Sequence, residues 1–214
     1  MTTPTRSVTP APPDTLVVMG ASSGGVQALL SLLPSLPADF APAIVVVLHI
    51  PADAPARLAE LFGSRCRLPV AQAEDKMPLA PGTILFAPPG YHTQIEADGS
   101  IALSVDPPEH FSRPSIDVLF ESAAWAWRER CLGVLLTGAN ADGAAGLAAI
   151  HDAGGRTWVQ DPISAQAQEM PRSALALGTP ADVLSLRAIA ERLGRMTREH
   201  PTDFPSSPSG HSPT

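Results

Sequence analysis

Ser22, His49 and Asp142 are the residues whose types and settings point to chemistry in this chain. Ser22 lies in Gly20-Ala21-Ser22-Ser23-Gly24, between the apolar run Leu16-Val17-Val18-Met19 and the helix-forming Val26-Gln27-Ala28-Leu29-Leu30. Read as G-x-S-x-G at a strand-to-helix junction, the motif is expected to put Ser22 at the apex of a strained elbow, its hydroxyl exposed above the sheet edge. The orphan amides at the start of the following helix would favour negative charge developing there. His49 closes the β-branched run 43–48, and Asp142 sits in Thr137-Gly138-Ala139-Asn140-Ala141-Asp142-Gly143, after the apolar run 132–136. Serine, imidazole and carboxylate on one rim are the inventory for nucleophilic acyl transfer. The imidazole takes the serine proton and returns it to the leaving group, while the carboxylate fixes the ring tautomer and steadies the imidazolium.

Plainer readings exist for each part. Gly-rich strand-to-helix turns also cradle phosphates. A dinucleotide fingerprint, however, needs a glycine where Ser22 stands and an acidic residue at the end of the next strand, where His49 stands. No Gly-Lys-Ser/Thr closes the loop as in a P-loop. Ser23 then serves as a helix-start residue or accessory donor. Alone, His49 also fits a hydrogen-bonded histidine at a strand end, and Asp142 before Gly143 also fits a helix cap. Taken together at three junctions, the acyl-transfer reading accounts for all of them. The chain order Ser, His, Asp differs from the α/β-hydrolase order, but a triad is defined by geometry.

These groups converge only if the strands are parallel and adjacent. The pattern does alternate strand and helix, which predicts an α/β fold: three αβα layers around a mostly parallel, doubly wound sheet. Strands are expected at 16–19, 43–48, 69–71, 83–86, 93–96, 101–105, 132–136, 156–160 and 182–184, with an Asp98-Gly99 hairpin turn. Helices are expected at 25–33, 54–62 (with Asp53 as N-cap), 115–128 (Val118, Leu119 and Trp125 on its apolar face), 143–153, 171–177 and 186–195. In such sheets ligands bind beyond the carboxyl ends of the strands, where Ser22, His49 and Asp142 fall.

At 214 residues the chain suits one sizeable core rather than two domains. Residues 1–13 are Thr/Pro-rich and 199–214 form a Pro/Ser tail, so both are expected to be disordered, with the catalytic domain at 14–198. A formal net charge of -7 argues against nonspecific nucleic-acid binding and against a polybasic membrane contact. Aromatic residues, 5% of the chain, are too few for a base-stacking platform. No apolar run is long enough to span a bilayer and the start lacks an export signal, so a cytoplasmic location is expected. Cys66 and Cys131 fit no disulfide or metal framework. A metal site from His92, His110 and His151 is not expected, since none forms a close-spaced ligand pair.

The chain resembles the catalytic domain of the chemotaxis protein-glutamate methylesterases, the CheB family. The resemblance is carried by Met19-Gly20-Ala21-Ser22-Ser23-Gly24-Gly25, Leu48-His49-Ile50-Pro51, Ala87-Pro88-Pro89-Gly90-Tyr91-His92 and Ser112-Arg113-Pro114-Ser115-Ile116-Asp117-Val118-Leu119-Phe120. It continues through Leu136-Thr137-Gly138, Asp142-Gly143-Ala144-Ala145-Gly146, Gln160-Asp161-Pro162 and Met170-Pro171-Arg172-Ser173-Ala174. It implies hydrolysis of glutamate γ-methyl esters on the cytoplasmic helices of chemoreceptors, with release of methanol. Deamidation of receptor glutamines is a second activity in the family. No cofactor or metal is implied, and nucleophile, base and orienting carboxylate carry over to Ser22, His49 and Asp142.

The loop before the aspartate departs from the family's Met-Gly with Ala139-Asn140. The Ala139 amide is expected to serve the oxyanion hole, as the methionine amide does in the family, beside Ser23. Asn140 is expected to tolerate the positive φ that glycine adopts. The segment before the first strand is too short for the receiver domain that many members carry, so control by receiver phosphorylation in the same chain is not expected. Arg113 is a candidate for orienting the substrate or its carbonyl, with packing or a surface ion pair as the alternative; His92 and Arg172 match family positions without an evident role. A non-catalytic signalling module of the same fold, and an esterase with a different ester, are the rival readings.

Overall fold

Strands whose every residue is apolar need cover on both faces, and the central strands have it. β1 (Leu16–Ala21) and β2 (Ala43–Leu48) are buried along their whole length. The structure, a computed structural model, describes residues 12–50 and 58–198. Between and after these strands come α1 (Gly25–Leu32), α2 (Leu58–Gly63), β3 (Val70–Gln72), β4 (Ile84–Phe86), β5 (His92–Ile95), β6 (Ile101–Ser104) and α3 (Ile116–Trp127). The chain continues with β7 (Cys131–Leu135), α4 (Ala144–Asp152), β8 (Arg156–Gln160), α5 (Glu169–Ala176), β9 (Asp182–Leu184) and α6 (Leu186–Leu193). The main sheet is parallel throughout, in the order β3-β4-β2-β1-β7-β8-β9; β5 and β6 form a separate antiparallel hairpin.

Alternate residues of the strands feed two cores. Val18, Val45 and Leu135 pack with Ile116, Phe120 and Leu147 under α3 and α4. Val17, Met19, Ile44 and Val46 pack with Leu29, Leu32, Ile189 and Leu193 under α1 and α6. These are the three layers the alternation predicts. The strand order reverses on either side of β1, so the crevice beyond its carboxyl end is the fold's natural binding site. Register keeps the strand ends level: Ala21 lies opposite Leu48, and Gly20 opposite Leu135.

Two expectations are corrected. Trp125 is 68% exposed, whereas Ile116, Leu119, Phe120, Ala123 and Trp127 are buried, so the 3.6-residue period puts Trp127 on the inner face of α3 and Trp125 on the outer one. Pro13, at the edge of the segment expected to be disordered, is buried, and its carbonyl accepts a hydrogen bond from Trp127 Nε1 at 3.2 Å. Residues 1–11, the tail from 199, and Asp53 with the first part of the helix expected at 54–62 lie outside the described residues. No helix among the described residues is long and apolar enough to cross a membrane.

Candidate active site

Backbone hydrogen bonds stitch the three loops together. His49 N donates to Ala21 O at 3.0 Å, Ser22 N to Thr137 O at 2.9 Å, and the Thr137 hydroxyl to Ser23 O at 2.8 Å. Thr137 is itself held from the next strand, its amide donating to the buried Gln160 Oε1 at 2.9 Å. This gives a physical role to the Gln160 of the Gln160-Asp161-Pro162 segment.

The serine turn is not strained at the serine. Gly25 N donates to Ser22 O at 2.8 Å, and Gly24, at φ 80° and ψ -4°, takes the left-handed third position of a type II turn. Ser22 itself has no positive φ. Glycine absorbs the conformation that the elbow reading assigned to the nucleophile, so Ser22 is partly exposed at an unstrained corner. The Asp142 turn repeats the arrangement: Ala144 N donates to Ala141 O at 3.2 Å, with Gly143 at φ 94°.

Asp142 is wholly buried and its carboxylate is filled by donors. His49 Nε2 and Ile116 N each lie 2.7 Å from Oδ2; Ser115 Oγ at 2.8 Å and Asp117 N at 2.9 Å donate to Oδ1. Ile116 and Asp117 open α3, so Asp142 caps that helix from a distant loop and receives its positive end. Burial works against the charge. The His49 hydrogen bond, the two amides and the Ser115 hydroxyl outweigh it and hold the carboxyl below its ordinary range. An ionised Asp142 then requires the proton on Nε2 of a neutral His49, which leaves Nδ1 with the free lone pair.

Among the amides at this rim, Ser22 N and Gly138 N are committed to Thr137 O and Ala167 O. Those of Ser23 and Ala139 have no protein acceptor among the described residues, and both residues are exposed. Asn140 does not take the expected positive φ; its Oδ1 accepts the Asp142 amide at 3.3 Å in an Asx turn, so the side chain does by hydrogen bonding what glycine does by backbone freedom.

The other sequence candidates are placed as follows. Arg113 spends its NH1 on the carbonyls of Val105 (2.8 Å) and Asp106 (3.0 Å), bracing its own loop, while its Nε is buried without a partner among the described residues. His92 is buried, with Nδ1 accepting Ser115 N at 3.2 Å and Nε2 donating to Pro107 O at 3.1 Å, which fixes a neutral ring behind the helix that holds Asp142. Arg172 is exposed on α5. His151 lines a cleft of about 500 Å³ with Arg156, Trp158 and Asp182 at the opposite end of the strands, away from Ser22, His49 and Asp142.

Sequence reasoning assigned no role to Ser115, Asp117 or His110. Asp117 is buried beside Asp142, accepts Gly146 N at 2.6 Å and faces His110 Nε2 at 3.1 Å. Burial pushes its carboxyl up to about 6, with the Asp142 charge adding to the effect. The ligand atoms of His110, Asp117 and Asp142 lie within 4.8 Å of one another. Four donors on Asp142, however, make surroundings for an anion rather than for a cation.

The family model of the CheB methylesterases matches residues 17–193. A putative protein-glutamate methylesterase/protein-glutamine glutaminase of Leptospira interrogans is 41% identical over 86% of this chain and 95% of that protein. The protein-glutamate methylesterase/protein-glutamine glutaminase of Symbiobacterium thermophilum is 40% identical over 87% of this chain but only 52% of its own length. The crystal structure of the Thermotoga maritima CheB methylesterase catalytic domain superposes with a TM-score of 0.82 at 30% identity, covering 86% of this chain and 98% of that one. The chain belongs to the CheB methylesterase family.

Proposed function

We propose that this protein is a serine hydrolase that removes methyl groups from glutamate γ-methyl esters on the cytoplasmic helices of chemoreceptors, with the catalytic unit at about residues 14–198. The reading rests above all on the His49–Asp142 pair, 2.7 Å apart and tied through Ala21 O to the Ser22 turn. Ser22 Oγ attacks the ester carbonyl carbon while His49 Nδ1 takes its proton. The oxyanion collects the free amides of Ser23 and Ala139. On collapse the C–O bond to the methoxy group breaks, and methanol leaves with the proton from His49. Water, deprotonated by the same nitrogen, attacks the acyl-enzyme, and glutamate and Ser22 are restored. Asp142 keeps the ring in place and balances the imidazolium throughout. Every step uses side chains and amides of the chain itself, and the site belongs to the cytoplasmic face of signalling. Glutamine deamidation follows the same course with ammonia as the leaving group.

The deciding measurement is methanol release from receptor carrying radiolabelled methyl groups. Ser22→Ala is expected to abolish release while its circular dichroism spectrum matches wild type. A Ser22→Ala protein that still releases methanol at the wild-type rate rejects the mechanism. A folded wild type that releases none, and resists a serine-directed phosphonate, is the signalling module instead.

A further inference from the structure

The loop between β6 and α3 ends in a tight two-residue turn. Glu109 N donates to Ser112 O at 3.1 Å and Ser112 N to Glu109 O at 2.8 Å, with His110 at φ 48° and Phe111 at φ 60° between them. Two consecutive left-handed residues are the pattern of a type I′ turn, which normally calls for Asn-Gly because a Cβ is strained there. Phe111 nevertheless holds an aromatic ring in that position, 105% exposed and so without packing to compensate the strain.

The loop is not free to relax. Arg113 NH1 holds Val105 O and Asp106 O, His92 Nε2 holds Pro107 O, and His110 Nε2 meets the buried Asp117. Gly90 N, from the loop that also carries the exposed Tyr91, donates to Arg113 O at 3.1 Å. Anchored at each of these points, the turn presents one bare ring next to a histidine whose nitrogen lies within 4.8 Å of an Asp142 oxygen. Strain that is kept in place by surrounding contacts and spent on displaying an apolar group marks a functional surface.

Building on the substrate reading above, we infer that Phe111 is a docking finger for the helix that bears the ester, a specificity residue outside the catalytic relay. The occupant is an amphipathic helix. Positions one turn from the esterified glutamate lie next to it on the helix surface, and an apolar side chain there meets the exposed ring. A single apolar contact made with the extended partner and not with a small ester raises kcat/KM for the receptor alone.

The test is Phe111→Gly, which removes the ring and also suits φ 60°. The expected result is a Tm equal to or above wild type, loss of receptor demethylation by about 10-fold or more in kcat/KM, and p-nitrophenyl acetate hydrolysis within about two-fold of wild type. Phe111→Leu, which keeps apolar bulk, should retain most receptor activity. A Phe111→Gly protein that demethylates receptor as wild type does overturns the finger and leaves the enzyme assignment intact. Equal loss on both substrates also overturns it, by showing a role in the site itself. A wild type that hydrolyses the small ester but not methylated receptor sinks the substrate reading, and the finger with it.

Discussion

The hydroxyl of Ser115 donates to Asp142 Oδ1 at 2.8 Å instead of capping the helix it begins. Residues 27 apart in sequence thus exchange their usual roles: the N-cap serine serves the carboxylate, and the carboxylate serves the helix amides. The arrangement joins fold stability to the site's electrostatics, because two of the four donors that keep Asp142 ionised are the first amides of α3.

Removing the hydroxyl therefore has a pH-dependent cost. Asp142 has its folded pKa depressed, so its contribution is fully present above the unfolded value and is lost as pH falls through the folded one. Ser115→Ala is expected to cost about 1.5–3 kcal/mol near pH 7, the usual range for a hydrogen bond to a charged group. The deficit relative to wild type should shrink once the carboxyl is protonated in acid. Calorimetric Tm values for the two proteins, from neutral pH down to the end of their folded range, check this. A deficit that stays constant with pH contradicts the link to the Asp142 charge.

Asp117 shows the opposite sign. Its folded carboxyl is raised to about 6 by burial, so the folded state holds the proton more tightly than the unfolded chain does. Its contribution is fully present below the unfolded value and is lost as pH rises through about 6. Asp117→Asn keeps an oxygen for Gly146 N and removes the buried charge. It is expected to gain on the order of 1–2 kcal/mol over wild type at pH 7–8, with the advantage fading toward pH 4. Urea midpoints measured across that range give the answer, and a variant weaker than wild type at pH 8 counts against the assignment.

Much of this site was legible before any coordinates. Ser22, His49 and Asp142 each follow an apolar run, and parallel strands bring such positions to one edge whatever lies between them. The supporting layer was not legible. In the sequence Ser115 is only part of the helix expected at 115–128, and only the tertiary arrangement shows its hydroxyl serving Asp142 while the Asp142 carboxylate takes the helix amides. Trp125 and Trp127 are equally apolar, and the face each takes depends on where α3 meets the sheet. The strain expected at Ser22 is absent, because the turn's one left-handed residue is Gly24, which adopts that conformation at least cost. His110-Phe111 carries no turn signature at all, since long-range anchors rather than residue preference hold it.

Gly20 supplies the last test, because it links β1, which leads to Ser22, to the helix that holds Asp142. A Cβ on Gly20 would lie 2.3 Å from Ile116 Cγ2, and Ile116 N is one of the donors to Asp142 Oδ2. Gly20→Ala must therefore push the start of α3 away from β1, with the Asp142 carboxylate following its donors or losing them. A loss of about 1–3 kcal/mol in stability is expected from overpacking, with a fall in kcat larger than the residual unfolding explains. Ile116→Ala removes the three side-chain atoms nearest the new methyl and leaves the amide in place. The double variant should accordingly be more stable than the sum of the two single losses predicts, with a favourable coupling of about 1 kcal/mol or more. Additive losses in that double-mutant cycle would mean that the strand and helix do not communicate through this contact.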